Sequence, residues 1–320
     1  MDRRLEDTAV EGVLNIDKSP GMTSHDVVDQ VRRILKIRRV GHTGTLDPQA
    51  TGVLPICVGR ATKIARFLTA ADKEYLIYMR LGIRTDTMDA QGRILEERQD
   101  IPTSAAEIES VFSRFRGDIY QVPPAFSAKK YRGERLYRLA RRGEMVEREP
   151  VPVRIYELEL LSYDPPLVHF RVFCSKGTYA RALCHDIGDA LGCGAHLHSL
   201  VRLKAGQFRL EEAITLSHLE EIAQQGRLGE VLIPVEQALN HLPEARITPD
   251  STRSVLHGGS LALQDIVTIS PGLQQGAMVR VLGMQRKLLS LAVLTVNADQ
   301  IPHLHPRHII LRPVKVFSRS

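Results

Sequence analysis

Cysteine is scarce and poorly spaced for chemistry. The four residues Cys57, Cys174, Cys184 and Cys193 contain no C-x-x-C pair, which argues against a redox couple or a thiolate zinc ribbon. Isolated thiols in a chain of 320 residues fit buried apolar positions in a reducing compartment. No apolar run approaches the ~18–20 residues that a bilayer span requires, and the N-terminal MDRRLEDTAVEG holds no apolar core of a signal peptide. The expectation is a soluble cytoplasmic protein with no membrane contact. Neither G-x-x-x-x-G-K-[ST] nor G-x-G-x-x-G occurs, which sets aside the common phosphate-cradling loops. No internal repeat or low-complexity segment stands out.

What is present describes a folded chain. Hydrophobic residues make up 43% and charged residues 25%, enough for a sizeable core. The 43 Lys and Arg exceed the 37 Asp and Glu by six, with a pI near 9.2, and the basic residues cluster. Clusters attract polyanions more than totals do. GVLNIDK reads as a strand ending at the turn SPGM, and Thr23 or Ser24 then caps a helix with Val27, Val28, Val31, Ile34 and Leu35 on one face. VLPICVG and KEYLIYMRLGI read as strands, and ATKIARFLTAA as a short helix between them. Ser104 and Glu107 form a capping box for the next helix. VRIYELELLSY and LVHFRVFCS are strand-like, and TYARALCHDIGDALG is helical with Leu183, Ile187 and Leu191 aligned. Another helical run ends near Gly226. From about Ala245 short strand-like pieces alternate with Gly, Pro and polar turns, the pattern of a small β-barrel or sandwich.

Three stretches hold candidate chemistry. GHTGTLDPQATGVLP, Gly41 to Pro55, carries a single acid, Asp47, before Pro48. Composition favours an ordinary Asx turn there, and a retaining glycosidase would need two carboxylates ~5 Å apart where this stretch has one. The segment after Pro123 holds Lys129, Lys130, Arg132, Arg135, Arg138, Arg141, Arg142 and Arg148 against Glu134, Glu144 and Glu147, with Tyr131 and Tyr137 interleaved. The acids are too few to pair with these cations, and cations mixed with rings suit a nucleic-acid backbone over a plain solvated helix. Cys184, His185, Cys193, His196 and His198 match no common zinc spacing, nor do His303, His305 and His308, so no metal is expected.

Read as wholes, KSPGMTSHDVV, GHTGTLDPQATGVLPICVGRATK, KEYLIYMRLGIRTDTMDAQG, SKGTYARAL and LGCGAHL closely resemble, in order and spacing, the successive motifs of the TruB family of bacterial tRNA pseudouridine-55 synthases. The resemblance runs from about Gly12 to Phe208, and the C-terminal module more weakly resembles a PUA-type RNA-binding domain. It implies an α+β pseudouridine-synthase fold, a central mixed, mainly antiparallel sheet flanked by helices, plus a small C-terminal PUA-like β-barrel. It implies domains at 1–244 and 245–320, with an RNA-gripping insertion at about 124–150. The implied reaction isomerises a uridine in the tRNA T-loop without cofactor or metal, in a monomer that needs no obligate protein partner. A non-catalytic tRNA-binding or RNA-folding module on the same scaffold is the alternative.

Residue by residue, the resemblance makes Asp47 the essential aspartate and Arg181 the arginine that pairs with it, keeping it ionised and lowering its pKa. Tyr75 matches the tyrosine that packs on the target base and handles the proton lost from C5. Tyr179 and Leu200 match residues of the base pocket, and His42 a histidine that stacks within the rearranged T-loop. Lys18 and Lys63 are expected to help by charge, and Lys129, Lys130, Arg141 and Arg142 to grip the RNA. After Leu200, where the family often continues with two arginines, this chain has Val201 and Arg202, which puts one phosphate contact in question.

Overall fold

The computed structural model describes residues 10–127, 129–144 and 146–317, and for Lys130, Tyr137 and Arg141 the backbone alone. The chain forms two compact units that divide between Ile233 and Pro234. Among the described residues no helix is long and apolar enough to cross a membrane.

The first unit is built on a nine-stranded sheet. Its main path runs Gly12–Lys18, Thr51–Val58, Ala195–Ala205, Lys73–Leu81, Leu167–Cys174, Val151–Asp164 and Gly117–Gln121. Val40–His42 and Phe208–Arg209 add short flanking strands. All pairings are antiparallel except that of Ala195–Ala205 with Thr51–Val58, where Val201 faces Thr51 and Arg202 faces Gly52. The mixed, mainly antiparallel sheet is the expected one.

Sequence pattern explains most of it. Along Leu167–Cys174, Val168, Phe170, Val172 and Cys174 are buried and their neighbours are not, the period of a half-covered strand. Thr51–Val58 is apolar almost throughout because it is buried almost throughout. The Ser24–Leu35 helix starts in a capping box, Thr23 N–H to Asp26 Oδ2 at 2.8 Å and Asp26 N–H to Thr23 Oγ1 at 3.1 Å. It buries Val27, Val28, Val31 and Leu35. The Ala105–Phe112 helix meets the sheet through Phe112, edge-on to Phe170 at 5.2 Å. Residues 59–69 are not one helix but a 3₁₀ turn, Gly59–Ile64, followed by Ala65–Thr69.

The largest difference from expectation is Ala195–Ala205, a central strand with no alternating pattern to reveal it. Its register against Lys73–Leu81 shifts between Leu197 and Ser199 and again between Arg202 and Lys204. Each bulge moves the inward-facing set by one residue and erases the period of two.

In the second unit six strands follow the path Leu261–Ala262, Ile309–Val316, Leu288–Leu294, Met278–Leu282, Glu244–Ile247 and Ile266–Ile269. The two end strands are joined by the three-residue turn Leu263–Asp265, so the edges of the sheet come together and the barrel is nearly closed. Ala245, Val279, Leu294 and Leu311 belong to its core.

Candidate active site

The Gly41–Pro55 stretch leaves the sheet at His42 and rejoins it at Thr51. Between these points it is tied from several sides. Ser24, the first residue of its helix, donates to Leu46 O at 3.1 Å and accepts from Leu46 N–H at 2.8 Å. Lys18, fully buried, donates to Ser19 O at 3.0 Å, Pro48 O at 2.9 Å and Ala50 O at 2.6 Å. Arg202, 1% exposed, donates through Nε to Val53 O at 2.6 Å and through Nη2 to Gly44 O at 3.2 Å. Gly52 has φ +94° and a Cβ there would stand 2.3 Å from Arg202 O, so the strands meet only with glycine at this point. Asp47 opens a turn closed by Ala50 N–H to Asp47 O at 3.1 Å. The turn expected from Asp-Pro is real, and it is anchored to the sheet.

Asp47 faces Arg181, in the first turn of the Ala180–Ala190 helix. The guanidinium engages both carboxylate oxygens, Nε to Oδ2 at 3.0 Å and Nη2 to Oδ1 at 3.2 Å. This is the fork geometry that fixes orientation as well as charge. Arg181 also donates to Phe126 O at 2.8 Å, to Thr87 O at 3.2 Å and to Asp89 Oδ2 at 3.4 Å. Asp89 is a second carboxylate brought in by a distant hairpin, and it is itself held. Its Oδ1 accepts from Thr87 Oγ1 at 2.6 Å and Gln91 N–H at 3.0 Å. Met88 beside it, at φ +61°, accepts at its carbonyl from Leu197 N–H at 3.0 Å.

The electrostatics correct one expectation. Burial at the cleft floor raises the Asp47 carboxyl above the usual aspartate range and outweighs the downward pull of Arg181; Asp89 adds to the rise and Lys18 opposes it. The side chain nonetheless keeps 46% of its surface open to the cleft. Burial and the nearby Arg202 and other cations lower the His42 pKa, which favours a neutral imidazole; its Nδ1 accepts from Gly44 N–H at 3.3 Å. Burial pulls the Lys18 ammonium down to about 8.

A cleft of about 1050 Å³ opens above Asp47, lined among others by His42, Thr45, Arg135, Arg138, Arg181 and Leu200. Pockets of ~300–1,000 Å³ take ligands of ordinary size, so there is room for a nucleotide and some of its flanks. Asp47, Arg181, His42 and Leu200 are thus brought together as expected. Tyr75, Tyr179, Lys18 and Lys63 are not part of the lining. Tyr75 lies beside Arg202 on the adjoining strand, and burial pushes its phenol up to about 12. Tyr179 is half-buried ahead of its helix and donates its N–H to Gln121 Oε1 at 3.0 Å. Lys63 is half-buried in the Gly59–Ile64 turn. Lys18 is a correction: with its ammonium bonded to three carbonyls under the loop, it supports the turn and does not reach a substrate.

The insertion is a small hairpin, Lys130–Tyr131 with Glu134–Arg135, and the helix Leu136–Arg141, anchored by the buried Leu136 and Leu139. Arg142 forms a forked pair with Glu134 at 2.6 and 3.0 Å and reaches Glu144 at 2.6 Å, so its guanidinium is already occupied. Lys129 is exposed, and the side chains of Lys130 and Arg141 lie outside the described residues. Among the described side chains of the cluster, Arg135 and Arg138 line the cleft. Among the described residues no group of His, Cys, Asp and Glu stands in a metal-holding arrangement.

Sequence reasoning missed two residues, Asp89 and Arg202. Asp89 lies in the motif RTDTMDAQG, which assigns it no role, and Arg202 follows Val201 where the resemblance leaves a phosphate contact in question.

The chain is similar to known proteins over nearly its whole length. A model described as the TruB family pseudouridylate synthase N-terminal domain matches residues 32–180, and a tRNA pseudouridylate synthase B C-terminal domain matches residues 181–240. A tRNA pseudouridine synthase B of Pseudomonas aeruginosa is 47% identical over 78% of this chain and 83% of its own. One of Pelotomaculum thermopropionicum is 41% identical over 97% of this chain and 98% of its own. Among solved structures, one from a Cbf5-Nop10-Gar1 complex superposes with a TM-score of 0.79 at 32% identity, over 96% of this chain and 85% of that one. The body shares that fold, and the nearly closed six-stranded sheet fits a PUA-like domain.

Proposed function

The chain belongs to the TruB family of pseudouridine synthases, and from that premise we propose that it isomerises uridine to pseudouridine at position 55 in the T-loop of tRNA, with Asp47 as the reacting group. The observation that carries this reading is the Asp47–Arg181 fork at the floor of the cleft, on a turn tied down by Lys18, Ser24 and Arg202. A binding module has no need of a carboxylate mounted in this way and paired to a single arginine.

A carboxylate at the bottom of a cleft cannot reach a base inside a folded loop, so the nucleotide is flipped out, at a cost of a few kcal/mol in lost stacking. Leu200 and His42 offer it an apolar wall and a ring. Asp47 then acts ionised, by attack on C1′, addition to C6 or abstraction of a ribose proton. Arg181 holds the carboxylate charged and aimed. The isomerisation breaks the N-glycosidic bond and forms a C5–C1′ bond to the same sugar, with no outside electron or group. Arg135, Arg138 and Lys129 contact the phosphate backbone, and the C-terminal barrel binds RNA beyond the T-arm.

The test is the Asp47→Asn variant with unmodified tRNA. Binding is expected within a few fold of wild type, with no pseudouridine formed; pseudouridine made at the normal rate would sink the assignment.

A further inference from the structure

Gly117–Gln121 is the last strand on the main path of the large sheet, yet its final residue, Gln121, is 0% exposed. Its side-chain amide grips a single residue of a distant segment. Oε1 accepts the Tyr179 N–H at 3.0 Å, and Nε2 donates to Tyr179 O at 3.3 Å. Tyr179 is the N-cap of the Ala180–Ala190 helix and is extended, at φ −103° and ψ 110°, so its N–H and C=O point the same way. One amide can then pair with both, as a residue of an antiparallel neighbour strand would. The helix start has no side-chain cap of its own among the described residues. Packing alone does not require an amide here. Burying one gives up its hydration, and a methionine would fill the same volume without that cost. What the amide adds is position, because only a matched donor and acceptor select one peptide.

We propose that Gln121 is a positioning residue that sets the fork between Arg181 and Asp47 by fixing the Tyr179 peptide at the start of the arginine's helix. The inference rests on the reading that Asp47 drives uridine isomerisation. Arg181 stands two residues beyond Tyr179, in the first turn. Its guanidinium donates to Phe126 O at 2.8 Å, and Phe126 lies five residues beyond Gln121. One short segment therefore holds the arginine at both ends, the helix start through the Gln121 amide and the guanidinium through the Phe126 carbonyl.

The surroundings agree with this role. The loop that enters the helix is tied at its far end, where Ser175 N–H donates to Arg154 O at 2.8 Å and Ser175 Oγ accepts from Arg154 N–H at 2.8 Å. Gln121 holds the near end, next to the arginine. A fork tolerates little error, since Nε and Nη2 must meet the two carboxylate oxygens together, at 3.0 and 3.2 Å. A misplacement of ~1 Å in a catalytic group can cost about 10²-fold in rate.

The experiment measures single-turnover rate against pH on unmodified tRNA for Gln121→Met, Arg181→Gln and the two combined. Gln121→Met is expected to slow the reaction about tenfold with tRNA Kd within about threefold. The loss is smaller than for Arg181→Gln because Phe126 O, Thr87 O and Asp89 still hold the guanidinium. With the fork loosened, the charged carboxylate loses support and the acid midpoint of the rate moves to higher pH, as it does for Arg181→Gln. Asp89 and Lys18 also bear on Asp47, and both keep their own anchors in the variant. Added to Arg181→Gln, the Gln121 change is expected to cost nothing more, since no guanidinium is left to aim. A wild-type rate, an acid midpoint that stays in place, or a loss that multiplies onto that of Arg181→Gln assigns Gln121 to the scaffold alone and overturns the proposal. Gln121→Asn keeps the amide but falls one methylene short of Tyr179, and it takes the same readouts if the Met variant does not fold. Asp47→Asn is assayed alongside. Activity there defeats the underlying reading, whereas an inactive Asp47→Asn with an unmoved midpoint in the Gln121 variants defeats only the role of Gln121.

Discussion

Positive charge is used in two opposite ways within the first unit. Beneath the cleft, Lys18 and Arg202 are 0% and 1% exposed, and their donors are turned onto backbone carbonyls of the Asp47 loop and its flanks. Along the insertion, Lys129, Arg135 and Arg138 stand exposed on a short hairpin and helix fixed by two leucines. The first group fixes the Asp47 turn and is closed to solvent. The second is free to meet phosphate and fixes little. Charge counted along the sequence does not separate them; solvent access does.

Variants can drive this contrast apart. The largest effect is expected at Asp47 itself, where Asn is expected to cost at least about 10³-fold in single-turnover rate with binding nearly intact. Arg181→Gln comes next, with a rate loss of about 10²-fold and a shifted acid limb. On the proposed mechanism Asp47 acts ionised, and its pKa lies above the usual 3.8, so the wild-type rate is expected to fall on acidification with a midpoint above that value. Removing the cation favours the protonated carboxyl and moves the midpoint to higher pH still. An unmoved midpoint would show that another group titrates.

Lys18→Met sharpens the comparison from the buried side. With three carbonyls losing the ammonium, of which Pro48 O keeps the Gly21 N–H, thermal unfolding is expected to show a loss of ~1–3 kcal/mol, and the rate is expected to drop about tenfold at unchanged tRNA Kd. Arg135→Ala combined with Arg138→Ala gives the reverse pattern. Kd weakens while the saturated rate stays, and the slope of log Kd against log salt falls by about 1.4–1.8, two phosphate contacts at ~0.7–0.9 each. Arg142→Ala has the smallest effect, since that guanidinium is paired with Glu134 and Glu144. A salt slope that falls as far for Arg142 as for the other pair would mean that these ion pairs open on RNA.

Much of the fold was legible. The Gly12–Lys18 strand, the Thr23 cap and the alternation of Leu167–Cys174 follow from patterns a few residues long. Ala195–Ala205 was not legible, because two bulges scramble its alternation. In the site, Asp47 and Arg181 were reached through the resemblance, while Asp89 and Arg202 were not. Nothing local distinguishes Asp89 from the other acid of its loop, Asp86, until the loop is seated on Leu197. Arg142 shows the same limit in reverse, since its partner Glu134 stands eight residues away at the other end of a short helix.

By itself the sequence determined the local elements, and the tight Asp-Pro turn that would present one carboxylate, because caps, turns and periodicity depend on neighbouring residues. The tertiary structure decided what that carboxylate experiences. Its arginine is 134 residues away, and the guanidinium that holds its loop at Gly44 is 158 residues away. The burial that raises its pKa exists only once the strands close around it, because desolvation and charge pairing belong to the assembled site and to no segment of the chain.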